Sequence, residues 1–206
     1  MGKLIFFGGF ALGLAGCGGQ FEAAKAKSDV GQHADILWVS RLDVQGRSQQ
    51  PFEDPECKAV ALLFFMQDCP IANSYVPEIN RLHEQYAGRG VTLLVVQVDP
   101  KISVQQAAEH QQEYGLKPAV VLDQKHEWVT LAGATRTPEA AVFSREGKLL
   151  YRGRIDNRYV AVGKQRPGAT KHDLADAMEA IALGRSVLQA TTEAVGCYIP
   201  ELIKEK

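Results

Sequence analysis

Residues 64–82, FFMQDCPIANSYVPEINRL, decide how this chain is read. An apolar, β-rich run from Val60 to Met66 ends at Gln67-Asp68, and Cys69-Pro70 open a segment whose apolar residues recur at helical spacing through Ile79 and Leu82. The pattern predicts a strand that delivers a cysteine to the start of a helix. Unpaired backbone N–H groups and the positive end of the helix dipole favour the thiolate at such a place, and the thiolate is the nucleophilic form. Cys69 is read on that ground as a functional thiol. The competing reading is a buried, inert cysteine, since free cysteines are among the most buried residues.

Working outward, Lys58 to Met66 is apolar almost throughout, the mark of a strand buried on both faces. The helix after Cys69 runs to about Tyr86, with Pro77 inside it as a kink and Gly88 and Gly90 closing it. A second buried strand, VTLLVVQV, follows at 91–98. Ser103 caps a helix over 104–114 that Gly115 ends. A short third strand covers 119–122, and a short helix over 127–132 stops at Gly133. After Thr137-Pro138, two strands at about 140–144 and 148–154 join through Glu146-Gly147. A loop rich in Gly, Arg and Pro runs to Thr170, a last helix spans 171–183, and a tail holds Gly196-Cys197-Tyr198. Strands alternating with helices and finishing in a hairpin predict an α/β fold, a central mixed sheet flanked by helices in three layers.

The N-terminus carries one Lys, the apolar run Leu4 to Leu14, and then Ala15-Gly16-Cys17. That layout predicts a secretory signal too short to span a bilayer. Residues 1–16 are expected to be a lipoprotein signal peptide, with Cys17 lipidated as the first mature residue. A plain signal peptide or an ordinary apolar helix is the competing reading. Residues 17–35 are small and polar, as in a tether; 36–186 form one domain, and 187–206 a tail. Structure is expected to resume at 36–39, with a hairpin or loop around Gly46.

Composition excludes several classes. The 23 basic residues are scattered and balanced by 24 acidic ones, so nucleic acid is not an expected partner. The four cysteines, Cys17, Cys57, Cys69 and Cys197, lack the close paired spacing of a zinc site. No metal and no organic cofactor are expected, and the protein is expected to be a monomer.

From about Trp38 to Leu183 the chain resembles the thioredoxin-like redoxin group, which includes the AhpC/TSA family and membrane-tethered thiol-disulfide oxidoreductases. Cys69-Pro70 stand where such proteins carry the first cysteine of C-x-x-C. Pro77 matches their kinking proline, Thr137-Pro138 their cis-proline loop, and the hairpin through Gly147, Tyr151 and Gly153 their G-x-x-x-x-x-x-G strand pair. The resemblance implies a thioredoxin-like fold and thiol chemistry at Cys69, with Pro70, Thr137 and Pro138 binding an extended substrate by exposed backbone groups. Separately, Leu14-Ala15-Gly16-Cys17 resembles a bacterial lipobox, which implies lipidation of Cys17 and an extracytoplasmic or periplasmic location. Gly18, which is not an aspartate, favours the outer membrane.

Departures from the pattern matter equally. The second position of C-x-x-C is Ala72, so no disulfide forms within the motif. A peroxiredoxin would carry Thr at position 66 and Pro at 62, where this chain has Met66 and Leu62. Asp68 is expected to oppose ionisation of Cys69. Cys57 precedes the strand and Cys69 follows it, roughly 30 Å away along extended chain, against a Cα limit of about 7 Å for a disulfide. Cys197 is the remaining candidate. A reversible Cys69–Cys197 disulfide is the expectation; a structural or free Cys197, or its pairing with Cys57, stays open.

Two groups are given a solvating or structural role ahead of a binding one. Arg152, Arg154, Arg158 and Arg166 read as a solvated basic face ahead of a dock for an acidic partner. His83, His110, His126 and His172 are dispersed and read as core or surface residues. The activity expected is thiol-disulfide exchange with a protein thiol or disulfide as substrate or redox partner, from a lipid-anchored position on a membrane. A weak thiol peroxidase, or a non-catalytic binding or copper-handling module of the same fold, are the alternatives.

Overall fold

Apart from Met1, this computed structural model describes residues 39–202. The expected signal peptide, Cys17, the tether and positions 36–38 lie outside the described residues. Strand β1 (Arg41–Leu42) and β2 (Ser48–Gln49) form a small antiparallel hairpin around Gly46, as the turn residues predict. Then come β3 (Ala59–Phe65), helices α1 (Pro70–Ser74) and α2 (Val76–Tyr86), and β4 (Val91–Gln97). Helix α3 (Val104–Tyr114), β5 (Ala119–Leu122), α4 (Glu127–Ala132), β6 (Arg136–Thr137), β7 (Glu139–Ser144) and β8 (Leu149–Gly153) follow. The chain ends through the β9 (Tyr159–Ala161) and β10 (Lys164–Gln165) hairpin, α5 (Asp173–Ala182) and β11 (Cys197–Tyr198).

The main sheet has the order β5-β4-β3-β7-β8. Its β3–β4 and β4–β5 pairs are parallel, and β3–β7 and β7–β8 antiparallel. The central strand β3 is buried at every position. Because successive side chains of a strand point to opposite faces, Ala61, Leu63 and Phe65 enter one core with Ile79, Leu82 and Met178, while Val60, Leu62 and Phe64 enter another with Val96, Trp128 and Val129. Helices α2 and α5 thus cover one face and α4 the other, which is the three-layer, thioredoxin-like arrangement read from the sequence. Each fully buried Leu or Phe is worth about 1.5–3 kcal/mol, which makes β3 the anchor of the fold.

Local signals set the element ends. In α3 the Ser103 hydroxyl accepts from the Gln106 N–H at 3.1 Å, and the Gln106 side chain accepts from the Ser103 N–H at 2.9 Å. This capping box satisfies two otherwise orphaned donors. Asp123 does the equivalent for α4, its carboxylate accepting the backbone N–H groups of Glu127, Trp128 and Val129, each at 2.9 Å.

Both edges of the main sheet are covered. Asp43 bridges to Val121, and the Val44 N–H donates to the Val120 carbonyl at 2.9 Å, so the first hairpin guards β5. On the far side, the chain after α5 runs along β8: the Arg152 N–H donates to Ala190 O at 2.9 Å and the Thr192 N–H to Arg152 O at 3.0 Å. Gly153 permits this approach. Its φ is +149°, and a Cβ there would come within 2.9 Å of the Thr192 carbonyl carbon and closer still to its hydroxyl and carbonyl oxygens. The tail after the last helix is, over its described residues, a strap bound across the sheet edge.

Candidate active site

Cys69 lies beyond the C-terminal end of β3, in extended conformation (φ −88°, ψ 106°), as the residue that caps α1. Pro70 occupies the first turn, where a missing N–H is harmless, and is exposed beside the sulfur. The kink expected at Pro77 is a full break: the helix is interrupted at Tyr75, just before Pro77, because the proline ring is incompatible with a straight helix there. Facing Cys69 is the Thr137-Pro138 peptide, which is cis. The Cys69 thiol donates to the Thr137 carbonyl oxygen at 3.1 Å.

Cys197 completes the cluster. Strand β11 pairs antiparallel with β6, with Cys197 opposite Thr137 and Tyr198 opposite Arg136, and the Ile199 N–H donates to Thr135 O at 3.1 Å. The Arg136 guanidinium stacks 3.3 Å from the centre of the Tyr198 ring. Gly196 permits the crossing: a Cβ on it would come within 2.7 Å of the Thr137 carbonyl carbon and closer to its oxygen. This pairing sets Cys197 opposite Thr137, whose carbonyl takes the Cys69 thiol, so the two cysteines meet at one turn and each affects the other's ionisation. Neither is bonded to the other; Cys57, Cys69 and Cys197 are all free thiols.

The two facing thiols differ in acidity. Burial pushes Cys69 up, but hydrogen bonds to its thiolate from the Cys197 thiol, the Thr137 side chain and the backbone N–H groups of Ala72 and Cys197 outweigh that and hold it below its ordinary value. The Thr137 hydroxyl is buried with no other partner, so it is free to serve the ionised sulfur. Cys197 is pushed up to about 12, by burial first, then by the hydrogen bond and charge of Cys69 and by the charge of Asp68. The carboxylate expected to oppose ionisation at Cys69 acts on the other cysteine.

Two readings from the sequence need correcting. The sequence reading set a functional Cys69 against a buried, inert one, yet the residue is buried, with an exposure of 0 %, and still has polar groups around its sulfur. The polar groups around it, rather than open water, support its charge. The arginines read as a solvated basic face are bound within the chain. Arg154 Nε donates to Asp173 at 2.8 Å, Arg152 to Gly133 O at 3.1 Å, Arg158 lies 4.1 Å over the Tyr75 ring, and Arg166 donates to Asn157 O. The fixed fork of guanidinium donors suits it to such internal carbonyl and carboxylate clamps.

Cys57 sits at the opposite end of β3 from Cys69, its thiol donating to Ala59 O at 3.3 Å, which fits the separation argued from strand length. His110, buried, meets Asn73 Oδ1 at 3.0 Å, and His126 meets Val98 O at 2.7 Å, so both are structural. Among the described residues no group of three His, Cys, Asp or Glu side chains converges as a metal site, so no histidine joins the two sulfurs. The Ala72 N–H is one of the helix-start donors that the sequence led us to expect beside Cys69; the unpartnered Thr137 hydroxyl was not read from sequence, because nothing local announces it.

Comparison with known proteins agrees with this geometry. Over 130 residues the chain is 29 % identical to the thiol-disulfide oxidoreductase ResA of Geobacillus thermodenitrificans, covering 63 % of this chain and 71 % of that one. ResA of Bacillus thuringiensis is 26 % identical over 131 residues, 63 % of this chain and 72 % of that one. Among solved structures, an uncharacterized conserved protein from Geobacillus kaustophilus superposes with a TM-score of 0.67 at 22 % identity, over 81 % of this chain and 89 % of that one. A secreted Mycobacterium tuberculosis disulfide oxidoreductase homologous to Escherichia coli DsbE gives 0.51 at 15 % identity, over 71 % and 98 %. These structural likenesses establish the thioredoxin-like fold. With residues 30–152 matching the family model, the chain belongs to the AhpC/TSA family.

Proposed function

We propose that this protein is a thiol-disulfide oxidoreductase in which Cys69 is the attacking thiolate and Cys197 the resolving thiol. The observation that carries the reading is the meeting of these two free thiols at the Thr137-Pro138 turn, Cys69 made more acidic than an ordinary thiol and Cys197 much less so. Cys69 attacks one sulfur of a substrate disulfide, forming a mixed disulfide and releasing the first substrate thiolate. Its negative charge is then gone, and with it two of the causes that keep Cys197 protonated. Cys197 gives its proton to the released substrate thiolate and attacks the Cys69 sulfur, forming the Cys69–Cys197 disulfide and expelling the second substrate thiolate. The substrate gains two electrons, and an external dithiol returns them to the protein.

The resolving role of Cys197 compensates for Ala72 in the second motif position. Pro70, Thr137 and Pro138 line the approach to the sulfur and serve as substrate-binding residues. The names of the ResA relatives support the reaction class. The substrate is a protein thiol or disulfide, and the protein works as a monomer. It acts on the extracytoplasmic side, held to the membrane, with the outer membrane favoured, by a lipid on Cys17; the apolar run Leu4 to Leu14 ending in Ala15-Gly16-Cys17 supports this.

Disulfide mapping by mass spectrometry after mild oxidation tests the reading. A peptide linking Cys69 to Cys197 is expected, and reduced dithiothreitol should remove it. Failure to find that link, with both cysteines still alkylatable after unfolding, would end the resolving role.

A further inference from the structure

The strand that delivers Cys197 occupies the edge on which an extended substrate must lie. Residues 196–199 pair with Thr135–Thr137 through backbone hydrogen bonds, and Thr137 and Cys197 are the groups packed over the buried Cys69 sulfur. Yet the strap is lightly held at this end. Tyr198 is 72 % exposed and Leu202 41 % exposed, so besides the main chain the strand is held by the Arg136–Tyr198 cation–π contact and by the half-buried Cys197 and Ile199 side chains at the margins of the two cores. Short strand pairings of this kind open locally at little cost compared with global unfolding.

Resting on the exchange reading above, we propose that residues 196–199 are a built-in substrate mimic. They close the docking edge until an external peptide displaces them and pair again once the mixed disulfide has formed, which returns Cys197 to Cys69; the peptide accepted is an extended segment with glycine immediately before its reactive cysteine and an aromatic residue after it. The register specifies both neighbours. The residue before the cysteine lies against the Thr137 carbonyl, where any Cβ collides. The residue after it lies opposite Arg136, whose guanidinium offers a face to an aromatic ring. Pairing through the backbone supplies affinity, and these two positions supply discrimination.

The test uses the full chain carrying Cys197→Ser, so that Cys69 is the labelled thiol at this site, and follows its modification by iodoacetamide peptide by peptide. Adding Gly196→Val should dislodge the strand and raise the labelling rate by about tenfold or more, the change expected from losing one or two backbone hydrogen bonds. Ile199→Pro, which removes the N–H donated to Thr135, should act in the same direction and stands in if Gly196→Val does not fold. In the opened variant, a synthetic Ala-Val-Gly-Ser-Tyr-Ile peptide should slow labelling, and the same peptide with Val for Gly should not. Equal labelling rates with and without the strap substitutions would overturn the proposal, as would equal protection by the two peptides. Failure here is separable from failure of the exchange reading. A Cys69–Cys197 disulfide that forms in the unmodified chain beside unchanged labelling sinks the strap alone, whereas accelerated labelling without that disulfide leaves the strap and removes the resolving role.

Discussion

Cys69 and Cys197 face each other as unequal thiols: the pKa of the first is held below its ordinary value by hydrogen bonds that outweigh burial, while that of the second is pushed up to about 12. The inequality orders the chemistry. At neutral pH Cys69 is the stronger acid of the pair and attacks first, and Cys197 waits with its proton until the charge opposite has gone.

Replacing Cys197 with Ala removes a donor to the Cys69 thiolate, so the Cys69 titration should move upward, followed by the ultraviolet absorbance of the thiolate against pH. The sign carries into stability. The lowered Cys69 contributes stability that is fully present above the ordinary value of 9.0 and is lost as pH falls through its folded value. Cys197 works the other way, because above 9.0 the unfolded chain ionises it and the folded chain does not. Cys197→Ala should therefore lessen the fall in denaturation midpoint on the alkaline side.

Thr137→Val keeps the shape of the side chain and deletes the hydroxyl that has no other partner. The Cys69 titration should again rise, and exchange with a small disulfide at neutral pH should slow in proportion to the lost thiolate. An unchanged titration would show that the hydroxyl does not serve the sulfur.

Cys69→Ser should abolish reduction of a disulfide substrate by dithiothreitol through this protein. Cys197→Ser should leave the first attack intact and accumulate the mixed disulfide, visible as a mass increase equal to one substrate chain. A Cys197→Ser protein that turns over as fast as the parent would mean that an external thiol does the resolving.

Asp123 accepts three backbone N–H groups of α4, away from the sulfurs. Asp123→Ala should cost about 1–3 kcal/mol, the penalty for buried donors left without a partner, read as a lower urea midpoint. Exchange per folded molecule should be unchanged.

Much of this architecture was legible in the residues. The strands at 59–65 and 91–97 announce themselves as continuous apolar runs, because a strand buried on both faces needs apolar side chains in both directions. The helix over 104–114 is marked at both ends, by Ser103 and by Gly115 in the left-handed region at φ 64°. The break before Pro77 and the placing of Cys69 at a helix start follow from ring sterics and local pattern alone. The tail was a different matter. Strand β11 is two residues long, flanked by Gly196 and by Pro200 two residues on, and carries no periodicity to read.

The sequence by itself determined the order of elements, the two-sided core and a cysteine at the first turn of a helix, since these depend on neighbours within a few positions of one another. Only the tertiary structure decided that this cysteine is sealed, that Thr137 supplies it a donor, and that Cys197 lies opposite it. Those facts join positions 69, 137 and 197. A pairing between segments so far apart is specified by backbone hydrogen bonds and by the space that Gly196 leaves open, and neither leaves a trace in the run of residues on either side.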